Sequence, residues 1–177
     1  MKDLNFLDVN FAIDFRKKKN YTDNGTDDIQ YLISTNPGET LKPLGQIVSG
    51  GELSRIMLAL KAILADRDEI ETLIFDEIDT GISGRTAQKV SEKMAVIGQH
   101  HQVLCITHLP QIAAMADHHF YIEKNATDHS TATTITELSE ADSLKELARL
   151  SGAAQLTESV LANAKEMKDL AEKKKQN

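Results

Sequence analysis

A single cysteine, Cys105, rules out an internal disulfide in this 177-residue chain and is compatible with a reducing compartment. No apolar run approaches the length of a membrane span. Met1-Lys2-Asp3-Leu4-Asn5 leads into no apolar stretch of the signal-peptide kind. The expectation from these absences is a soluble, cytoplasmic protein with no membrane partner. Positive charge is also scarce: 20 Lys and Arg stand against 27 Asp and Glu, for a formal net charge of -7. That balance argues against a dedicated nucleic-acid-binding domain, which is usually basic overall. The dense basic runs, Arg16-Lys17-Lys18-Lys19 and Lys173-Lys174-Lys175, read as a solvated turn and a solvated tail, with a local phosphate-binding patch as the alternative. Finally, no G-x-x-x-x-G-K-[ST] sequence occurs, so the chain carries no phosphate-cradling loop of that type.

What is present suffices for a packed domain, since 41% of residues are hydrophobic. Leu7, Val9, Phe11, Ile13 and Phe15 alternate with polar or small residues, which predicts a strand with one buried face. Arg16 to Asn20 and Asp23-Asn24-Gly25 then read as a turn. Ile29, Tyr31 and Ile33 repeat the alternation and predict the partner strand of a hairpin. Residues 35–48, with two prolines and two glycines, read as a loop. Leu53, Ile56, Met57, Leu60, Ile63 and Leu64 lie at helical spacing, and Ser49 with Glu52 matches a capping box at the start. Thr72 to Phe75 and Gln102 to Ile106 suit strands buried on both faces. Ala87, Val90, Met94 and Ile97 mark a helix between them, with Ser83 as its cap. A short helix with Pro110 in its first turn follows. Phe120 to Glu123 and Thr131 to Thr136 predict two more strands. From Ser143 the pattern is helical, with a break at Ser151-Gly152. The order predicts an α/β fold with a mostly parallel sheet, an antiparallel edge and a helical tail. The division expected is 1–142 for the lobe and 143–177 for the tail.

Three places carry candidate chemistry. Leu73-Ile74-Phe75 ends in Asp76-Glu77, and ligands of open α/β sheets bind at strand carboxyl ends. There Asp76 can hold Mg²⁺ and Glu77 can orient or deprotonate a water; equally, such a pair can cap the next helix. Ser49-Gly50-Gly51-Glu52-Leu53-Ser54-Arg55 opens a helix, where free amides and the helix dipole favour an anion. The same residues also suit a simple capped helix start. His108 follows the second strand, within reach of a phosphate or a water in one reading and structural in the other. His100, His101, His118, His119 and His129 read as surface or structural residues.

The order of these three, with Asp79-Thr80-Gly81 after the acids, resembles the C-terminal half of an ABC-type ATPase head. The resemblance makes Ser49, Gly50, Gly51 and Glu52 the signature motif, Asp76 and Glu77 the Walker B acids, Asp79 the D-loop acid and His108 the switch histidine. Glu52-Leu53-Ser54-Arg55 is similar to the SMC and DNA-repair branch. Ser34-Thr35-Asn36-Pro37-Gly38-Glu39, Ile78 to Arg85 and Thr107-His108-Leu109-Pro110-Gln111-Ile112-Ala113 resemble the RecN family, bacterial SMC-like proteins of double-strand break repair and recombination. The likeness runs over essentially the whole chain. It implies the C-terminal lobe of an ABC/SMC-type head, ATP and Mg²⁺ as ligands, and a Walker A lobe at the N-terminus of the same protein, beyond a long coiled coil. It also implies a second head in an ATP-dependent dimer, DNA bound through the full-length protein, and association with the nucleoid. Neither Gln30 nor Gln46 fits the family's Q-loop. Without Walker A, the isolated chain is expected to be inactive.

Two other readings compete. One is a non-catalytic interaction module acting through a sheet face or the helical tail. The other is a metal-dependent phosphodiesterase built on Asp76, Glu77 and Asp79.

Overall fold

The computed structural model describes residues 2–47, 49–64, 69–127 and 130–176. Two units divide the chain, Met1–Ile106 and Thr107–Asn177.

The first unit begins with a hairpin. Strand β1 (Asn10–Thr22) runs antiparallel to β2 (Gly25–Ser34), with the short β3 (Lys42–Pro43) on the far side of β2. The turn is tighter than the sequence suggests. Arg16 to Asn20 continue the strand, and only Asp23-Asn24 turn, before Gly25 at φ 88°. Charge rather than apolar alternation marks this half of the hairpin. Lys17 lies 2.6 Å from Asp27, its cross-strand partner, and Lys18 lies 3.6 Å from Asp28. Opposite charges across a ladder suit a strand. They also occupy two lysines of the basic run, Lys17 and Lys18.

Phe11, Ile13 and Phe15 face Ile33, Tyr31 and Ile29 across the ladder, and the Phe11 and Tyr31 rings stack at 5.9 Å. The alternation therefore predicts the face correctly and its burial wrongly. Ile33 is buried, but Phe11, Ile13 and Phe15 are 42%, 46% and 65% exposed. Alternation sorts side chains to one side of a sheet; burial also needs a second layer, which this unit does not supply.

Helix α1 (Gly50–Leu64) starts as the capping residues predict, with the Glu52 amide donating to Ser49 Oγ at 3.4 Å. Its buried stripe is Gly51, Arg55, Ile56 and Leu58. That stripe is rotated from the predicted one, and Met57, Ile63 and Leu64 are exposed. Helix α2 (Gly84–Gly98) buries Ala87, Val90, Met94 and Ile97 as its spacing predicts. Ser83 stands at the cap position but makes no capping hydrogen bond. Helices α1 and α2 pack on each other, and the first turn of chain, Lys2–Leu4, packs on α2.

Strands β4 (Thr72–Phe75) and β5 (Gln102–Cys105) pair in parallel, Phe75 opposite Cys105. Phe75 is buried, yet Ile74, Leu104 and Ile106 are 69%, 46% and 52% exposed. The expectation of two buried faces fails in this chain, because one face of the pair has no covering layer. Parallel sheets are ordinarily covered on both sides. The acidic run before β4 begins at Asp66, and its first residues, with Arg67 and Asp68, lie outside the described residues.

The second unit holds the short α3 (Pro110–Ala113), the hairpin β6 (Phe120–Thr127) and β7 (Ser130–Glu137), and helices α4 (Glu140–Leu150) and α5 (Glu158–Lys175). Ser139 caps α4 and Thr157 caps α5. Between them the chain breaks at Ser151-Gly152, with Gly152 at φ 84°, a conformation glycine adopts without cost. The lysine-rich end is not simply solvated. Lys168 donates to the Ala116 carbonyl at 2.7 Å, and Lys175 reaches Asp117 at 2.6 Å. Among the described residues, parallel pairing is confined to β4 and β5, and the antiparallel ladders form sheets of their own. Among the described residues, no helix is long and apolar enough to cross a membrane.

Of the remaining histidines, His129 lies outside the described residues. His119 is structural: its Nδ1 lies 2.8 Å from Ser143 Oγ. Burial holds its pKa below the ordinary 6.5, against the opposing charge of Glu146. An imidazole lowered in the fold binds fewer protons than the unfolded chain does just below pH 6.5. Its stabilisation is therefore complete above that pH and is lost as pH falls towards the folded value. Thermal melts from pH 7.5 to 5.5 should show this loss, and His119→Gln should flatten it. An unchanged slope in the variant would assign the loss to another group.

Candidate functional site

A short apolar strand carries Asp76 and Glu77 to its carboxyl end, where both are exposed. The Glu77 amide donates to Asp76 Oδ1 at 2.9 Å. Glu77 has φ 56°, a left-handed conformation that costs a residue with a Cβ about 1–2 kcal/mol. Such backbone persists only where its surroundings hold it. Here the Thr80 amide closes the turn on the Glu77 carbonyl at 3.0 Å. Ile78 and Asp79 anchor the turn from within, at 0% and 5% exposure.

The start of α1 docks on that turn. Ser54 Oγ donates to the Asp76 carbonyl at 2.9 Å. Arg55 Nη1 donates to the Ile78 carbonyl at 3.2 Å and to the Thr80 carbonyl at 3.0 Å. Close approach explains both glycines. A Cβ on Gly51 would lie 2.9 Å from the Glu77 carbonyl oxygen and 3.0 Å from that of Thr80. A Cβ on Gly50 would collide with Oε2 of Glu77. The pair therefore admits the carboxylate turn, whereas the sequence alone suggested room for a ligand.

Seven of the eight residues singled out from sequence lie on these two segments, Ser49, Gly50, Gly51 and Glu52 on one and Asp76, Glu77 and Asp79 on the other. His108 belongs to the second unit, exposed between β5 and α3, where Thr107 Oγ1 accepts the Leu109 amide at 3.0 Å. Ser54 and Arg55 belong to the glycine-rich segment read from sequence, but the sequence assigned them no role. A signal for Arg55 existed: it falls one helical turn after Gly51, on the stripe that must be buried if Gly51 is.

Mg²⁺ takes oxygen ligands and is commonly held by one or two carboxylates, with water and phosphate oxygens completing the set. Asp76, exposed at a strand end, fits that role. The three-acid cluster of a phosphodiesterase is not formed, since Asp79 is buried while Asp76 and Glu77 are exposed. Among the described residues, no group of three or more His, Cys, Asp or Glu is placed to hold a metal. Nearby Cys105 is no nucleophile: burial, with the charges of Asp79 and Asp76, pushes its thiol up to about 12.

No family model matches the chain. Its similarity to curated proteins is nonetheless high. It is 46% identical over 165 residues to the DNA repair protein RecN of Halalkalibacterium halodurans, covering 93% of this chain and 29% of that protein. It is 47% identical over 146 residues to RecN of Bacillus subtilis, 82% of this chain and 25% of the relative. For RecN of Haemophilus influenzae the identity is 48% over 147 residues, 83% and 26%. The chain thus spans between a quarter and a third of the length of these relatives. In fold it is similar to the Smc head domain with a coiled coil and joint from Pyrococcus yayanosii, with TM-score 0.56 and 20% identity over 84% of this chain and 27% of the other. It is also similar to the Smc head domain of Pyrococcus furiosus solved with an extended coiled coil and the C-terminal domain of ScpA, with TM-score 0.51 and 20% identity, covering 84% and 35%. The chain is similar over most of its length to a segment of RecN and shares the fold of Smc head domains.

Proposed function

We propose that this homologue of a RecN segment works as the C-terminal lobe of an ATPase head in DNA double-strand break repair and recombination, incomplete without a Walker A lobe. The observation that carries the reading is the docking of the glycine-rich helix start on the carboxylate turn, through Ser54 and Arg55. It brings the amides of a helix start and two exposed carboxylates together in one unit.

In this proposal, Ser49 and the amides of Gly50 and Gly51 cap the γ-phosphate of ATP held by the opposite head, with Glu52 and Asp79 flanking that contact. Asp76 holds Mg²⁺ in its own head, and Glu77 orients and deprotonates the attacking water. His108, as the switch histidine, hydrogen-bonds the phosphate or that water. Mg²⁺, when bound, neutralises charge on the phosphoryl oxygens. Residues 1–142 supply the lobe and 143–177 the helical tail. The partners are the N-terminal Walker A lobe of the same protein, a second head in an ATP-dependent dimer, and DNA through the full-length protein. The setting is the nucleoid in the cytoplasm. Two bare apolar faces support a covering partner: one carries Phe11, Ile13 and Phe15, the other Ile74, Leu104 and Ile106.

The same faces favour a second reading, an interaction module without catalysis. One experiment separates the two. ATP hydrolysis is measured for this chain alone and after mixing with a Walker A-bearing N-terminal lobe. No turnover alone and magnesium-dependent turnover on mixing is the expected result. A stable complex with no turnover would favour the interaction module.

A further inference from the structure

Arg55 is 4% exposed; burial lowers its pKa, against the opposing charge of Glu52. Its guanidinium lies 5.7 Å from the Phe6 ring centroid, and its Nε has no hydrogen-bond partner. Burying a cation is costly, and an apolar side chain of similar volume would fill such a site at less cost. What an apolar side chain cannot do is donate. Nη1 donates to two carbonyls, those of Ile78 and Thr80, at 3.2 and 3.0 Å. These carbonyls bracket Asp79. With Ser54 on the Asp76 carbonyl, alternate residues of the turn are tied to α1. The residue bonded this way sits one helical turn after Gly51, whose own position is set by the carbonyls of Glu77 and Thr80.

We infer that Arg55 is a positioning residue that couples the anion-facing start of α1 to the turn bearing Glu77 and Asp79. The inference rests on the ATPase reading above. A contact made by the Gly50 and Gly51 amides with nucleotide on one head moves α1, and Arg55 carries that movement to the backbone that places Glu77 on the other nucleotide. Charge-assisted hydrogen bonds to backbone carbonyls suit the task, because they are strong and fix the backbone itself. Ser54 supports the same docking without a charge.

The test uses the full-length protein, with steady-state ATP hydrolysis and thermal melting of Arg55→Lys, Arg55→Ala and Glu77→Gln. Arg55→Ala is expected to lower kcat by about tenfold to a hundredfold, the scale of a misplacement near 1 Å. KM should change little, as for a loss felt only in the transition state. Arg55→Lys keeps the charge and one donor direction, and should recover part of kcat. It also decides the matter if Arg55→Ala fails to fold. Lower melting temperatures with unchanged kcat in both variants would reduce Arg55 to packing and overturn the inference. The control separates the two levels. If the unaltered protein shows no ATP turnover, the ATPase reading itself fails; if Glu77→Gln keeps turnover, Glu77 is not the base and the coupling to it falls. If Glu77→Gln abolishes turnover while the Arg55 variants keep kcat, only the coupling falls.

Discussion

Glu77→Gln is expected to lower ATP turnover by about a hundredfold or more in a head completed by a Walker A lobe, the lower bound for loss of a general base. The substitution is nearly isosteric. It keeps the side chain's length and its ability to hydrogen-bond a water, and removes only the capacity to take a proton. The fold should not register it, because Glu77 is exposed and its backbone is held by other groups. The Thr80 amide closes the turn, and α1 holds the carbonyls on either side. Melting temperature should therefore stay at the parent value while single-turnover hydrolysis collapses. ATP binding should persist, and the ATP-dependent dimer should become longer-lived, since the ATP that holds it is no longer consumed. Light scattering with ATP and Mg²⁺ reads that accumulation. Hydrolysis at the parent rate would remove Glu77 from the base role and leave Asp76 and His108 to be tested in its place.

The legible parts of this chain were those written in local chemistry. Ser49 with Glu52, Pro110, and Ser151-Gly152 mark helix boundaries that the structure reproduces. Thr72 to Phe75 and Gln102 to Ile106 read as strands, and in the structure Thr72–Phe75 pairs in parallel with Gln102–Cys105. Burial was less legible, for a physical reason. Periodicity reports which residues share a face, and it cannot report whether anything covers that face. Phe11, Ile74 and Leu104 have the residue types of a core and stand open to solvent in this chain. Charged strands were hidden too, since Lys17 and Lys18 stabilise their ladder through Asp27 and Asp28 rather than through alternation. Within the candidate site, the acids and glycines stood out by type. Arg55 reads in sequence as the end of the glycine-rich segment, with no role of its own, and in structure as a buried donor to two carbonyls.

The two glycines should separate fold from activity. Neither has a left-handed backbone, so alanine at either position meets no conformational strain, and only the space decides. At Gly51 the new methyl would lie 2.9 and 3.0 Å from two backbone oxygens, those of Glu77 and Thr80. Backbone held by Arg55 and by the turn's own hydrogen bond cannot step aside cheaply. Overpacking of this kind costs about 1–3 kcal/mol, against a gain of at most about 1 kcal/mol from replacing glycine in a helix. The cost wins, so Gly51→Ala should lower the melting temperature and ATP turnover together. At Gly50 the methyl meets only the carboxylate end of Glu77, a flexible side chain that can turn away. The helix gain then has little to oppose it, and Gly50→Ala should melt at or slightly above the parent temperature. Turnover should still fall, because the group displaced is the proposed base. Parallel melts and ATPase assays of the two variants check the pair. Equal loss of stability in both would mean that the helix start sits differently on the turn. Full activity in Gly50→Ala would mean that the Glu77 carboxylate works from a position other than the one it holds against Gly50.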